Sequence, residues 1–460
     1  MKSIVCRRIT LVSISLIFIA LLWTGCFIAE FTERLFSWAA KTDAQAANKS
    51  VATVHFPHQK PASIKSVLTW TKVEGAVAYE LELLTKPPEK LNKSASYPTR
   101  FFSTNKIYVN GYNVDLPVAF TSDFFYWRVR GMNIDGNPIS RFSDAEKVYI
   151  DRKLNVPHKP IPTSIFNQSP GATLLYPVYA WIPIAGAEKY EVEILDDWPE
   201  NPNGVTPSTH RIDSAIAVGF DYYDENARIS EKPFYWRVRG LDQAGNPVGV
   251  YSDAGKFTVN PNIHVTVATY GDSITHGGGS VSYSPADWEY SYQHYLEFPT
   301  INLGKSGDTS ETMVERFDQD VLPFQPRFLI ILAGTNSLRG GVPADNVIAD
   351  LKVLKEKCLA NDIRPVFLTI PPINPDNIQK VFKEPTTPNW QQQIRLVNEF
   401  IRTQVHIDIA RDMEYTSGIL PTELAVDGLH IDIEGKKRIA SVVNINWARI
   451  AKLTWQSWIE

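Results

Sequence analysis

Residues 264–275 read His-Val-Thr-Val-Ala-Thr-Tyr-Gly-Asp-Ser-Ile-Thr. A β-branched apolar run from His264 to Tyr270 gives way to Gly271-Asp272-Ser273-Ile274-Thr275, which is a strand delivering a serine onto a turn. Near the C-terminus, Asp427-Gly428-Leu429-His430 sets a carboxylate three residues before an imidazole. A serine, a base and a carboxylate to orient that base are the minimum for nucleophilic ester cleavage. Either half alone reads as plain turn chemistry, or as a helix N-cap with a chance histidine.

Outward from that stretch, strand-like and helix-like patterns alternate. Strands are expected at Val265 to Tyr270, Thr300 to Leu303, Phe328 to Leu332, Arg364 to Ile370 and His406 to Ile409. Helices are expected at Ala344 to Ala360, Trp390 to Thr403 and Glu434 to Ile450. Short β-rich runs separated by amphipathic helices predict a parallel sheet covered on both faces. The candidate reacting residues all follow strand ends or lie in late loops, where an open α/β sheet places its ligand.

Two more segments lie between the serine and the histidine. Asn302-Leu303-Gly304-Lys305-Ser306-Gly307-Asp308-Thr309-Ser310 follows a short apolar stretch, and Ala333-Gly334-Thr335-Asn336 follows a strand. In order and spacing the four segments resemble the blocks of the SGNH hydrolases, also called GDSL esterases, over residues 262 to 455. The resemblance implies an α/β/α three-layer hydrolase domain over 262–460. It also implies Ser273 as nucleophile, His430 as general base and Asp427 as the carboxylate holding its ring. The backbone N–H groups of Ser273 and Gly307 and the side-chain amide of Asn336 would then form the oxyanion hole. Each residue type suits its part. Preorganised donors stabilise the oxyanion by roughly 3 kcal/mol each, a glycine lets backbone approach substrate without a Cβ, and an asparagine donates without bringing charge.

The chain departs from the family pattern at Ser337, where many members have aspartate, and at Ile431-Asp432, where many have proline. Neither change removes a reacting group. Thr275, two residues after the serine, speaks against the Gly-x-Ser-x-Gly elbow of the other α/β hydrolases. Asp272 is expected to bond nearby backbone as a turn residue. His276 and Lys305 are placed to touch substrate or to sit in solvated loops, the latter being the expectation for both. Cys358 reads as a small buried hydrophobe. No histidine shows metal-ligand spacing, so no metal or other cofactor is implied.

Upstream, Phe125-Tyr126-Trp127-Arg128-Val129-Arg130-Gly131 recurs as Phe234-Tyr235-Trp236-Arg237-Val238-Arg239-Gly240, each copy followed by Gly-Asn-Pro and then Ser-Asp. Leu68-Thr69-Trp70 and Tyr79-Glu80-Leu81-Glu82 recur as Tyr179-Ala180-Trp181 and Tyr190-Glu191-Val192-Glu193. Two copies of one module follow, over 57–152 and 157–260, joined by a Pro-rich linker from Val156 to Pro162. Period-two alternation with arginines on the opposite face, and frequent Gly, Asn, Asp and Pro, predict antiparallel β-sandwiches. The modules look like fibronectin type III domains. Their paired Trp and Tyr residues are expected in the core, with glycan or protein contact as the other possibility.

At the N-terminus, Lys2, Arg7 and Arg8 precede an uncharged run from Ile9 to Ala29, long enough to cross a bilayer. Residues 1–30 fit an uncleaved signal anchor, a cleaved signal peptide, or a lipoprotein signal ending at Cys26. Each sends the chain out of the cytoplasm. Residues 31–56 would be a stalk. The 460 residues carry a net charge of −4 and no basic stripe, which disfavours nucleic acid as a partner. Of three cysteines, Cys6 and Cys26 belong to the leader, leaving Cys358 in the folded part.

The expectation is an exported, membrane-tethered serine esterase acting on small-molecule or polysaccharide esters, with carbohydrate O-acetyl groups foremost. The alternatives are a lysophospholipase or short-chain acyl esterase, and a surface glycan- or protein-binding protein with an inactive hydrolase domain.

Overall fold

A computed structural model describes residues 49–88, 99–133, 136–164, 171–278, 288–413 and 418–459. The leader and most of the stalk lie outside the described residues. Among the described residues no helix is long and apolar enough to cross a membrane. The described residues divide into two units, one within 49–61, 69–110 and 121–150, the other within 62–68, 111–120 and 151–459.

In the first unit four antiparallel strands lie in the order Arg100–Ile107, Ala78–Leu84, Phe124–Met132, Glu146–Tyr149. Trp70 and Trp127 are fully buried and pack with ring centroids 5.9 Å apart. In the second unit Arg211–Ala217, Lys189–Leu195 and Phe234–Leu241 lie side by side, with Gly255–Phe257 and Pro247–Val248 also pairing to the last. A separate sheet holds Asp221–Tyr223, Val178–Ile182 and Ile161–Pro162. Trp181 and Trp236 are buried as Trp70 and Trp127 are, so all four indoles are core.

The expected polar face of the repeat strands is not exposed. Trp236, Arg237 and Val238 are all buried. Arg237 donates from Nε to Glu193 Oε2 at 2.6 Å, and its guanidinium carbon lies 3.9 Å from the Tyr251 ring centroid. Arg128 repeats this with Glu82 at 2.6 Å and the Phe142 ring at 4.0 Å. A carboxylate and an aromatic face together cover a guanidinium that strand alternation alone would leave to water.

The sheet of the C-terminal part has six strands, all parallel, in the order His406–Ile407, Arg364–Leu368, Phe328–Leu332, Val267–Gly271, Ile301–Asn302 and Thr173–Leu174. Strand alternation splits its side chains between two apolar layers. Ala268, Tyr270, Leu329, Ile331 and Phe367 pack with Met313, Phe317, Leu351, Leu354 and Val397 from the helices Ser310–Asp320, Ala344–Ala360 and Trp390–Arg402. Val267, Ile330, Leu332, Val366 and Leu368 pack on the other side with Ile439 and Val443 of Ile433–Ile450. This is an α/β/α arrangement, a parallel sheet covered by helices on both faces. The helices Ser310–Asp320 and Pro375–Phe382 were not anticipated; both are short, and in the first only Met313, Val314 and Phe317 are apolar.

The edge strand Thr173–Leu174 comes from the second repeat. It pairs in register with Ile301–Asn302, and Tyr179, Trp181, Val192 and Trp236 of that repeat belong to the same continuous apolar cluster as Tyr270 and Leu303. The sheet order reverses around Val267–Gly271, whose successors in the chain lie on opposite sides of it. A cleft opens at the carboxyl end of such a strand, and Asp272 and Ser273 follow it directly.

Candidate active site

Ser273 opens a one-turn helix, Ser273–His276, that starts as soon as the strand ends. Asp272 caps it, Oδ1 accepting from Ile274 N at 2.9 Å, the turn role expected of it. Burial pushes the Asp272 carboxyl up to about 6. Beneath the turn, buried Lys436 donates from Nζ to Ile274 O at 2.7 Å, and burial lowers its ammonium to about 7.

His430 Nε2 lies 3.1 Å from Ser273 Oγ, and His430 Nδ1 lies 2.9 Å from Asp427 Oδ2. The buried Asp427 is held in turn, its Oδ1 accepting the N–H groups of Leu429 and His430 at 2.8 Å each. A carboxylate on Nδ1 fixes the proton there and leaves the Nε2 lone pair toward the serine hydroxyl. Gly428 permits the tight turn. Its φ is +80°, and a Cβ would meet Asn374 O at 2.3 Å. The Phe382 ring stands 5.9 Å from the His430 ring as a partly exposed apolar wall.

The second block is a loop between the strand Ile301–Asn302 and the helix Ser310–Asp320. Asn302 ties it to the serine turn, Nδ2 donating to Thr275 O and His276 O at 3.1 and 3.0 Å. Gly307 lies in the left-handed region at φ +88° with open space where a Cβ would stand. Asn336 donates from Nδ2 to Asp308 O at 2.9 Å, so Asn336 and the Gly307 loop are brought together. Ser337, where many relatives carry aspartate, accepts Ser310 N–H at 2.9 Å.

Arg316 had no sequence signal beyond an i,i+4 pairing with Asp320. It is nearly buried, pairs with Asp308 and with Asp320 at 2.8 Å, and donates to Leu303 O at 2.9 Å and Gly271 O at 3.2 Å. One guanidinium thus clamps the strand end before the serine to the loop that carries Gly307. Tyr176 and Tyr223, from the second repeat, were also missed, because nothing local in a β-module indicates which tyrosine faces another domain. Tyr176 donates to Asp320 at 2.6 Å, and Tyr223 Oη accepts Ser306 N–H at 3.2 Å.

His276 departs from the solvated position expected for it. It is buried, with Nε2 2.7 Å from Tyr176 O, Nδ1 3.1 Å from Ser306 Oγ and its ring 4.9 Å from that of Tyr223. The strand and tyrosines of the second repeat cover what would be an open loop, and desolvation drives the imidazole down to about 4. Lys305 is half-buried, its Nζ 5.1 Å from the Tyr176 ring centroid. Cys358 is fully buried, and burial pushes its thiol well up. Among the described residues no cluster of His, Cys, Asp or Glu could hold a metal ion.

Residues 269–438 match the GDSL-like Lipase/Acylhydrolase family. Similar solved structures include a GDSL-like lipase from Bacteroides thetaiotaomicron, at 21% identity over 40% of this chain and 87% of that one with a TM-score of 0.33. A lipase/acylhydrolase from Enterococcus faecalis is 20% identical over 41% and 97%, TM-score 0.33. An acetylxylan esterase from Geobacillus stearothermophilus is 20% identical over 42% and 97%, TM-score 0.30. No curated protein matches the chain. Residues 269–438 are therefore a GDSL-like lipase/acylhydrolase domain, and the chain that carries them is a hydrolase of ester bonds.

Proposed function

We propose that this chain is an exported serine esterase that cleaves carboxylic esters through an acyl-enzyme. His430 Nε2 takes the proton of Ser273 Oγ as the oxygen attacks the acyl carbonyl carbon. The tetrahedral oxyanion is met by the N–H groups of Ser273 and Gly307 and by Asn336 Nδ2. As the C–O bond to the alcohol breaks, His430 returns the proton to the departing oxygen. Water then adds to the acyl carbon with His430 again as base, Ser273 leaves with the proton, and the acid is released. Asp427 keeps the ring in the tautomer and orientation this needs and stabilises the imidazolium formed.

The observation that carries this is the unbroken line from Asp427 through His430 to Ser273, at 2.9 and 3.1 Å. Asn336 remains available as a donor because an amide has two N–H groups and Asp308 O takes one. On this reading the two repeats are fibronectin type III-like β-sandwiches, the leader holds the enzyme at a membrane outside the cytoplasm, and the substrate is a polysaccharide or small-molecule acetyl ester.

The test is hydrolysis of para-nitrophenyl acetate, butyrate and octanoate by the full chain and its Ser273→Ala variant. Turnover confined to the parent and falling with acyl length is the expected result. Rising activity toward octanoate would transfer the reading to lipid-type esters, and undiminished turnover in Ser273→Ala would remove the serine mechanism.

A further inference from the structure

The loop that carries Gly307 rests on the second repeat. Leu175 N donates to Asn302 O at 3.0 Å at the edge of the sheet. Further along, Tyr223 Oη accepts the Ser306 N–H at 3.2 Å, and its ring packs on His276, which in turn lies 3.1 Å from Ser306 Oγ. Tyr223 ends the strand Asp221–Tyr223, well outside the residues that match the hydrolase family.

From this contact we propose that Tyr223 is a positioning residue for ester hydrolysis, its hydroxyl fixing the Ser306 peptide and with it the direction of the Gly307 N–H. The proposal rests on the reading of Gly307 N–H as an oxyanion donor. Gly307, at φ +88° with open space at its Cβ position, is the third residue of a turn that the Asp308 N–H closes onto Lys305 O at 3.3 Å, a long bond that is the loop's own constraint on this peptide. The direction of its N–H is set by that turn together with anchors on either side. Downstream, Asn336 and Arg316 hold Asp308 through its carbonyl and its carboxylate. Upstream, the hydroxyl of Tyr223 holds Ser306. Oxyanion donors act only when aimed at where the oxygen will be in the transition state, and a displacement near 1 Å can cost about 100-fold in rate. The second repeat is on this account a working part of the site as well as a neighbour in the fold.

The experiment compares the full chain with Tyr223→Phe, which keeps the ring and removes the acceptor. kcat and KM on para-nitrophenyl acetate are measured per active site titrated with a phosphonate, alongside the inhibition constant of a boronic acid, whose tetrahedral adduct on Ser273 mimics the intermediate. The expected result is a fall in kcat of about tenfold or more with KM within twofold, and a rise in the boronate inhibition constant matching the fall in kcat/KM. Wild-type kcat in Tyr223→Phe, or a lower kcat with unchanged boronate affinity, overturns the proposal. Ser273→Ala is run beside it. If that variant keeps full turnover, the underlying reading of the site fails; if it is inactive while Tyr223→Phe is normal, only the role of Tyr223 fails.

Discussion

His430 Nε2 stands 3.1 Å from Ser273 Oγ although the two residues are 157 positions apart in the chain. The serine is delivered by the central strand of the sheet, the histidine by a turn just before the helix Ile433–Ile450. Both lie at the same end of the sheet, and Asp427 completes the line from three residues away. In the proposed mechanism the three act as one unit, so their removal is expected not to be additive. Ser273→Ala, His430→Ala and Asp427→Asn are each expected to lower kcat by about 10⁴-fold or more, and the double variants to fall little further. Steady-state kinetics on a para-nitrophenyl ester, with circular dichroism to confirm folding, checks this.

Asn336 sits in the first turn after the strand Phe328–Leu332, against the loop of Gly307. Asn336→Ala removes one proposed oxyanion donor and the hydrogen bond to Asp308 O. A loss of roughly 10²–10³-fold in kcat is expected, with KM little changed. A loss expressed in KM alone would mean that Asn336 binds substrate in its ground state and not the transition state.

Arg316 faces two carboxylates and two carbonyl oxygens with almost no solvent. Arg316→Met leaves Asp320 and Asp308 buried without their counter-charge, which costs about 3–5 kcal/mol where one partner of a buried pair is removed. Urea unfolding should show that loss. Adding Asp320→Leu and Asp308→Asn should return part of it, since the penalty belongs to the stranded charges.

His276 ties acid stability to the contact with the second repeat. Its imidazole is lowered from 6.5 to about 4 by burial, so between those values the unfolded chain binds more protons than the folded one. Its contribution to stability is complete above pH 6.5 and is lost progressively as pH falls toward 4. Asp272, raised from 3.8 to about 6, works in the opposite sense over much of the same range, so the informative quantity is the difference between variant and parent. His276→Gln is expected to melt below the parent at pH 7.5 and to close that gap as pH drops from 6.5 to 4. A constant gap across the range would show that the histidine does not titrate with unfolding.

Much of the hydrolase domain could be read in advance because its signals are local. The run Phe328–Leu332 and the periodic stretch Ala344–Ala360 are found at the expected bounds. The strand Val267–Gly271 and the two other expected helices shift by only one or two residues. That Ser273, Asp427 and His430 would come together could be expected because each lies inside a short motif whose spacing reflects a turn. Arg316, Lys436, Tyr176 and Tyr223 were not, since an arginine on an amphipathic helix or a tyrosine on a β-strand looks the same whether it faces water or a neighbouring carboxylate. His276 was misplaced for the same reason: its burial depends on residues about 50 to 100 positions upstream.

The sequence by itself determined the alternation that makes a parallel sheet and the duplication that makes the two repeats, and it nominated the serine, histidine and aspartate that the fold brings into one line, because each is written in periodicity or in short spacing. Tertiary structure alone decided that the second repeat lends a strand to the hydrolase sheet and a hydroxyl to the Ser306 peptide. Contacts of that kind are set by the way two apolar faces close over one another, and no periodicity within either segment encodes where the other will lie.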